Sequence, residues 1–149
     1  MVRLRDIMVS PVLITKKNAK ISEAASTMCA NNIGSIIVVD NDEKPVGMVT
    51  ERDMLRKIIM TSRNPKQTSI SQIMSTPLVT GDPDMDVEHA ARFMLQKDVK
   101  RLPIVEEGKM IGIVTFTDII RAQPQIVIAL EKSLSFEKLP KRFRKWMKK

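Results

Sequence analysis

The sequence has one cysteine, one tryptophan, one histidine and no tyrosine. A single cysteine, Cys29, excludes an internal disulfide framework and any Cys-x-x-Cys metal or redox motif. The single histidine, His89, falls on a polar helix position and reads as a surface residue. No Ser-His-Asp set, metal-ligand cluster or Walker loop can be assembled, so catalysis is not expected and no cofactor is required. Long apolar runs are also missing. Runs such as Ile36–Val39 fall far short of the roughly 20 residues that a membrane span needs. The start, MVRLRDIMVSPV, lacks the apolar core of a secretory signal, and the expectation is a cytoplasmic protein.

What is present is an ordinary globular composition. The chain has 149 residues, 43% hydrophobic and 28% charged, which fits one compact domain or two small halves sharing a core. Its net charge of +8 is unevenly placed. Residues 1–130 hold 17 basic and 15 acidic side chains, whereas residues 131–149 hold 8 basic and 2 acidic. The body is therefore nearly neutral, and the excess belongs to the tail.

The body is a repeat. At a shift of 66, Ile7, Met8, Pro11, Ala24, Ala25, Met28 and Val39 fall on Ile73, Met74, Pro77, Ala90, Ala91, Met94 and Val105. After a one-residue deletion, Gly47, Val49, Thr50, Asp53 and Arg56 fall on Gly112, Val114, Thr115, Asp118 and Arg121. Each copy predicts an extended segment (Val12–Thr15, Leu78–Thr80) followed by an amphipathic helix. Ile21, Ala24, Ala25 and Met28 recur at helical spacing, as do Val87, Ala90, Ala91 and Met94. Two β-branched runs joined by the polar links DNDEKP and EEGK read as hairpins, and a second helix starts at Thr50 or Thr115. The pattern is β-α-β-β-α, twice, an α/β (α+β) fold whose halves pack about a pseudo-twofold axis. Residues 59–72 read as the linker.

The duplicated GMVTERD (47–53) and GIVTFTD (112–118), the Met-x-x-Pro starts and the LPIV run at Leu102–Val105 resemble a tandem pair of CBS (cystathionine-β-synthase) domains, a Bateman module. The resemblance spans about residues 4–122. It divides the chain into a first motif (1–65), a second (66–124) and a C-terminal helical basic tail (125–149). It implies a regulatory module, a homodimer in many members, that binds AMP, ADP, ATP or S-adenosylmethionine in clefts between the copies.

The resemblance also assigns residues. Asp53 and Asp118 would grip ribose hydroxyls, with Thr50 and Thr115 at phosphate or ribose. Without a ligand, the same Thr-x-x-Asp spacing is a capping box, and the two roles are compatible. Arg52, Lys100 and Arg101 are the expected phosphate cations. They have no counterparts at Thr117, Gly34 and Ser35, so the two sites cannot be equivalent and one strong site is expected. Adenine would meet the first strand at Thr80 and Gly81, and at Ile14 and Thr15 in copy one. Ile36, Ile37 and Pro103 are possible apolar walls that also suit a sheet core. Cys29 is expected to pack as a small hydrophobe.

The tail carries two readings. Ile126, Val127, Ala129, Leu130, Leu134 and Leu139 suggest a helix, and Pro140 opens a second helix with Phe143, Trp146 and Met147 on one side. Phe136 adds a further aromatic to this segment. Such a stripe can dock on its own module or a dimer mate. Alternatively, residues 138–149 bind nucleic acid or an acidic partner through charge.

Overall fold

The computed structural model describes residues 1–133 together with Lys141 and Arg144. Along the chain run α1 (Leu4–Ile7), β1 (Ile14–Lys16), α2 (Ile21–Ala30), β2 (Ser35–Val39), β3 (Pro45–Thr50) and α3 (Glu51–Met54), the last continued by a π-helical turn at Leu55–Ile59. A 3-10 turn (Ile70–Gln72) leads to α4 (Val87–Lys97), β4 (Arg101–Glu106), β5 (Lys109–Thr115), α5 (Phe116–Ala122) and α6 (Ile126–Ser133). These elements form two compact units. A contiguous unit comprises Leu13–Leu78 with Gly108–Met110, and a composite unit comprises Met1–Val12, Val79–Glu107 and the chain from Ile111 onward.

In the contiguous unit the sheet order is β1-β2-β3. β1 runs parallel to β2, with Ile14 opposite Ile37, and β3 runs antiparallel to it, with Ile36 opposite Val49. β2 reads SIIVV and is buried along its whole length, so it shows a continuous β-branched run instead of alternation. The apolar face of α2, Ile21, Ala24 and Met28, packs with Ile36, Val38, Val49, Ile58, Ile70 and Ile73. The start of α2 has no side-chain cap, because Lys20 occupies that position. Its first N–H groups must find acceptors elsewhere. Ile21 and Ser22 donate to the carbonyls of Thr68 and Pro65, each at 3.0 Å. The segment expected as a linker is thus part of the unit.

The composite unit holds a two-stranded sheet of β4 and β5. Glu107 (φ 50) and Gly108 (φ 78) turn the chain between them with two positive φ values, as in a type I′ hairpin. Asp86 caps α4 by accepting from the N–H groups of Glu88 (2.9 Å) and His89 (3.3 Å). Val87, Ala90, Ala91, Met94 and Leu95 of α4 share a core with Leu102, Ile104, Val114, Phe116 and Ile119. Ile126 and Leu130 of α6 are buried in the same core, and Arg92 bonds to Ser133 across α4 and α6. The start of the expected tail therefore docks on its own module. The expected apolar positions Leu134, Phe136, Leu139, Phe143, Trp146 and Met147, with Pro140, lie outside the described residues.

The units complete each other's sequence copy. Leu4 and Arg5 donate to the carbonyls of Met85 (2.9 Å) and Pro83 (3.0 Å), while Ile70 and Ser71 donate to those of Ala19 and Lys17, both at 2.9 Å. Val9 bridges Ile113, as Ser75 bridges Met48. These are corresponding positions of the repeat. The opening segment of copy one thus builds the composite unit, and that of copy two builds the contiguous one. Leu4 (0% exposed) and Ile70 (0%) are the apolar anchors of the two segments.

Two local features depart from the sequence expectation. Copy two forms no strand at Leu78–Thr80; its first-strand contact is a single parallel bridge, Gly81 to Ile104. Gly81 donates to the carbonyl of Pro103 (2.9 Å) and accepts from Val105 (3.1 Å), and Pro83, which has no N–H to extend the ladder, follows two residues later. Cys29 is exposed, one helical step from the buried Met28.

The opening segment is also tied down by charge. Arg3 and Arg5 contact Asp84 at 3.1 and 2.8 Å, and Arg5 reaches Glu106 at 3.3 Å. The hydrogen bonds from Arg5 and then Arg3 hold the Asp84 carboxyl below its ordinary range. A carboxylate depressed in the folded state stabilises the fold above its unfolded pKa, and that contribution is lost as pH falls through the folded value. Asp84→Asn is therefore expected to lower Tm slightly at neutral pH and low salt. The difference should shrink as pH falls below the ordinary aspartate range, and also in about 1 M salt, because the pair is exposed. Thermal melts across pH check this.

Candidate functional site

Each copy ends its hairpin in a Gly-x-x-Thr-x-x-Asp turn that passes directly from strand to helix. In the contiguous unit, β3 delivers Thr50 to the start of α3. The Thr50 N–H donates to Asp53 Oδ2 at 3.0 Å, and the Asp53 N–H donates to Thr50 Oγ1 at 3.1 Å. In the composite unit, β5 delivers Thr115 to α5 with the same pair of bonds, at 2.8 and 3.1 Å. Both are reciprocal capping boxes. The carbonyls of Gly34 and Lys100 accept the next N–H groups, those of Glu51 (3.0 Å) and Phe116 (2.9 Å).

The glycine that opens each turn is needed for packing. A Cβ on Gly112 would lie 2.6 Å from Met8 Sδ, and one on Gly47 would lie 3.0 Å from both Met74 Sδ and the Ser75 carbonyl oxygen. The Met of each Met-x-x-Pro start thus lies against the glycine of a turn, which links two motifs that the sequence keeps far apart.

Beyond the cap, the two turns differ. Asp53 is 9% exposed, and its carboxylate is fully engaged. Thr50 Oγ1 donates to Oδ2 at 3.1 Å, Ser75 Oγ lies 3.2 and 3.3 Å from the two oxygens, and Lys57 Nζ lies 3.1 Å from Oδ1. Lys57 also donates to the carbonyl of Ile73 at 2.8 Å. Asp118 is only half-buried, and its sole acceptor bond among the described residues comes from the Thr115 N–H. The repeat places Ala122 and Val9 where copy one has Lys57 and Ser75. Neither can donate a side-chain hydrogen bond.

The remaining expected residues divide by unit. Thr80, Gly81, Lys100, Arg101 and Pro103 lie in the composite unit with Thr115 and Asp118. Pro103 is buried, Arg101 half-buried, and Lys100 and Thr80 exposed. Ile14, Thr15, Ile36 and Arg52 lie in the contiguous unit with Thr50 and Asp53. Ile36 is 2% exposed and fills that unit's core, while Arg52 is exposed. Arg52, Lys100 and Arg101 make no ion pair among the described residues. Among those residues, no group of three His, Cys, Asp or Glu is placed to hold a metal ion, and no helix is long and apolar enough to cross a membrane.

Sequence reading missed Lys57 and Ser75. An acid and a Lys four residues apart on a helix is a recognisable pair, so Lys57 was within reach. Ser75 carries no such signal, because its partner is 22 residues away and its repeat counterpart is Val9.

Two copies of the same strand-turn-helix unit with exchanged opening segments define a duplicated α/β module. The CBS domain model matches residues 4–60 and 70–125, and the chain belongs to this family as a tandem pair. Protein MK0525 of Methanopyrus kandleri is 39% identical over 75% of this chain and 58% of its own length. The CBS domain-containing protein YhcV of Bacillus subtilis is 39% identical over 78% of this chain and 81% of its own. The chain spans only part of MK0525 and of several other relatives. Among solved structures, the CBS domain pair of protein MJ0100, in complex with 5′-methylthioadenosine and S-adenosyl-L-methionine, has a TM-score of 0.72. It is 29% identical, covering 81% of this chain and 94% of that one. CBS-domain pairs are regulatory modules.

Proposed function

We propose that the chain is a ligand-sensing module that binds an adenosyl ligand, AMP, ADP, ATP or S-adenosylmethionine, at its Thr-x-x-Asp turns. Occupancy would be relayed through the shape of a homodimer or to a partner. The observation that carries this reading is the Thr115–Asp118 turn. Its carboxylate is fixed in place by one backbone bond and keeps an oxygen unengaged among the described residues. A carboxylate so held can accept both hydroxyls of a ribose. Lys100 and Arg101 on the same unit, which make no ion pair among the described residues, supply cations for a phosphate. The MJ0100 pair, which carries adenosyl ligands on this fold, supports the same reading.

Isothermal titration with the four ligands tests it. At least one should bind, and Asp118→Ala should weaken that ligand about tenfold or more, as expected for lost charge-assisted hydrogen bonds. A silent panel would leave the module a dimeric scaffold. Its basic 138–149 segment would then become the functional part, and binding to nucleic acid or an acidic protein should fall steeply with salt.

A further inference from the structure

The two turns look alike in sequence, yet among the described residues the Asp53 carboxylate has four donors and the Asp118 carboxylate one. We infer that Asp118 is the ribose-binding carboxylate and that Asp53 is a structural residue, locked by Lys57 and Ser75, so that each chain takes one adenosyl ligand. This rests on the adenosyl reading and adds which site operates and why.

The argument is one of acceptor capacity. A carboxylate offers about four lone-pair directions. At Asp53 these meet the Thr50 N–H and Oγ1–H, the Ser75 hydroxyl and the Lys57 ammonium, all within 3.3 Å. A ribose would have to displace the ammonium or the hydroxyl. Displacing Lys57 would also break its 2.8 Å bond to the Ile73 carbonyl and leave a mostly buried carboxylate without its counter-charge. At Asp118 nothing need be displaced among the described residues. Thr115 Oγ1 accepts from the Asp118 N–H but does not donate to the carboxylate, unlike Thr50, so its proton also remains available to a ligand oxygen. The difference is written in the repeat: Lys57 against Ala122, and Ser75 against Val9. Lys100 and Arg101 accompany Asp118 on its unit, so the cations lie with the open carboxylate.

AMP, ATP and S-adenosylmethionine are titrated separately into the full chain by calorimetry, with each variant's melting temperature recorded. The expected stoichiometry is one per chain. Asp118→Asn should weaken binding about tenfold or more, while Asp53→Asn should change affinity less than about threefold. Asp53→Asn should also lower Tm by a few degrees, and Asp118→Asn by less, since only the former gives up bonds to Ser75 and an ion pair with the half-exposed Lys57. Lys57→Met combined with Ser75→Ala unlocks Asp53 and should raise the stoichiometry toward two. Two equal sites in the parent chain, or an Asp53→Asn loss as large as that of Asp118→Asn, would overturn the assignment and leave the adenosyl reading standing. No heat from any ligand with any variant would overturn that reading and the assignment with it. The melting temperatures would still report whether Asp53 is locked.

Discussion

Leu4→Ala is expected to destabilise the protein by about 2–5 kcal/mol, the range for a buried leucine that leaves a cavity behind. Leu4 lies in a four-residue helix near the start of the chain, where a truncation would ordinarily cost little. Here it is 0% exposed and sits among Ala90, Met94, Leu102 and Ile119, residues that enter the sequence more than 80 positions later. At roughly 2–4 °C per kcal/mol for a chain of this size, Tm should fall by on the order of 10 °C. Ile70→Ala, its repeat counterpart in the contiguous unit, should behave similarly. Leu13→Ala, at a side chain 41% exposed, should cost less than about 0.5 kcal/mol. Urea unfolding of the three variants decides the matter. A Leu4 effect as small as that of Leu13 would show that the opening segment does not belong to the composite core.

Gly112→Ala is the second large effect, expected at about 1–3 kcal/mol through overpacking. The backbone at Gly112 does not require glycine by its φ, so the cost comes from space alone. The added methyl would meet Met8 Sδ at 2.6 Å, Cγ at 2.9 Å and Cβ at 3.0 Å. The two closest atoms, Sδ and Cγ, are the ones that Met8→Ala removes, while the Cβ at 3.0 Å stays in place. Removing the obstacle should help: Met8→Ala in the Gly112→Ala background should recover part of the loss, whereas Met8→Ala alone should destabilise. That reversal of sign is a coupling between neighbours that a double-mutant cycle measures directly. Additive losses would mean that Met8 does not rest on Gly112.

Much of this architecture was legible because it is local. The helical spacing of Ile21, Ala24 and Met28, the β-branched run of β2 and the Thr-x-x-Asp caps all follow from residues within a few positions of one another. The internal repeat then doubled each signal. The exchange of opening segments was not legible. Backbone bonds such as Leu4 to Met85 carry no side-chain signature, and pairing by order along the chain assigns Leu4 to the wrong half. Similarly, Arg52 stood out because it lies inside a motif, whereas Ser75, which contacts Asp53 directly, lies outside one. Cys29 was misread as packed because its neighbour Met28 points inward, and one residue on a helix turns the face by about 100°.

The nested order of the chain imposes a timetable on its synthesis. Residues 13–78, nearly all of the contiguous unit, emerge as one block, flanked by the two parts of the composite unit. When Leu78 leaves the ribosome, Leu4 and Met8 have already been waiting in solvent, and their partners Met94, Leu102 and Gly112 do not yet exist. The chain through α6 takes a further ~3–10 s to arrive at roughly 5–20 residues per second. For that interval Leu4 and Met8 have no core to enter, and Arg3, Arg5 and Asp6 are the charged residues that accompany them along the chain.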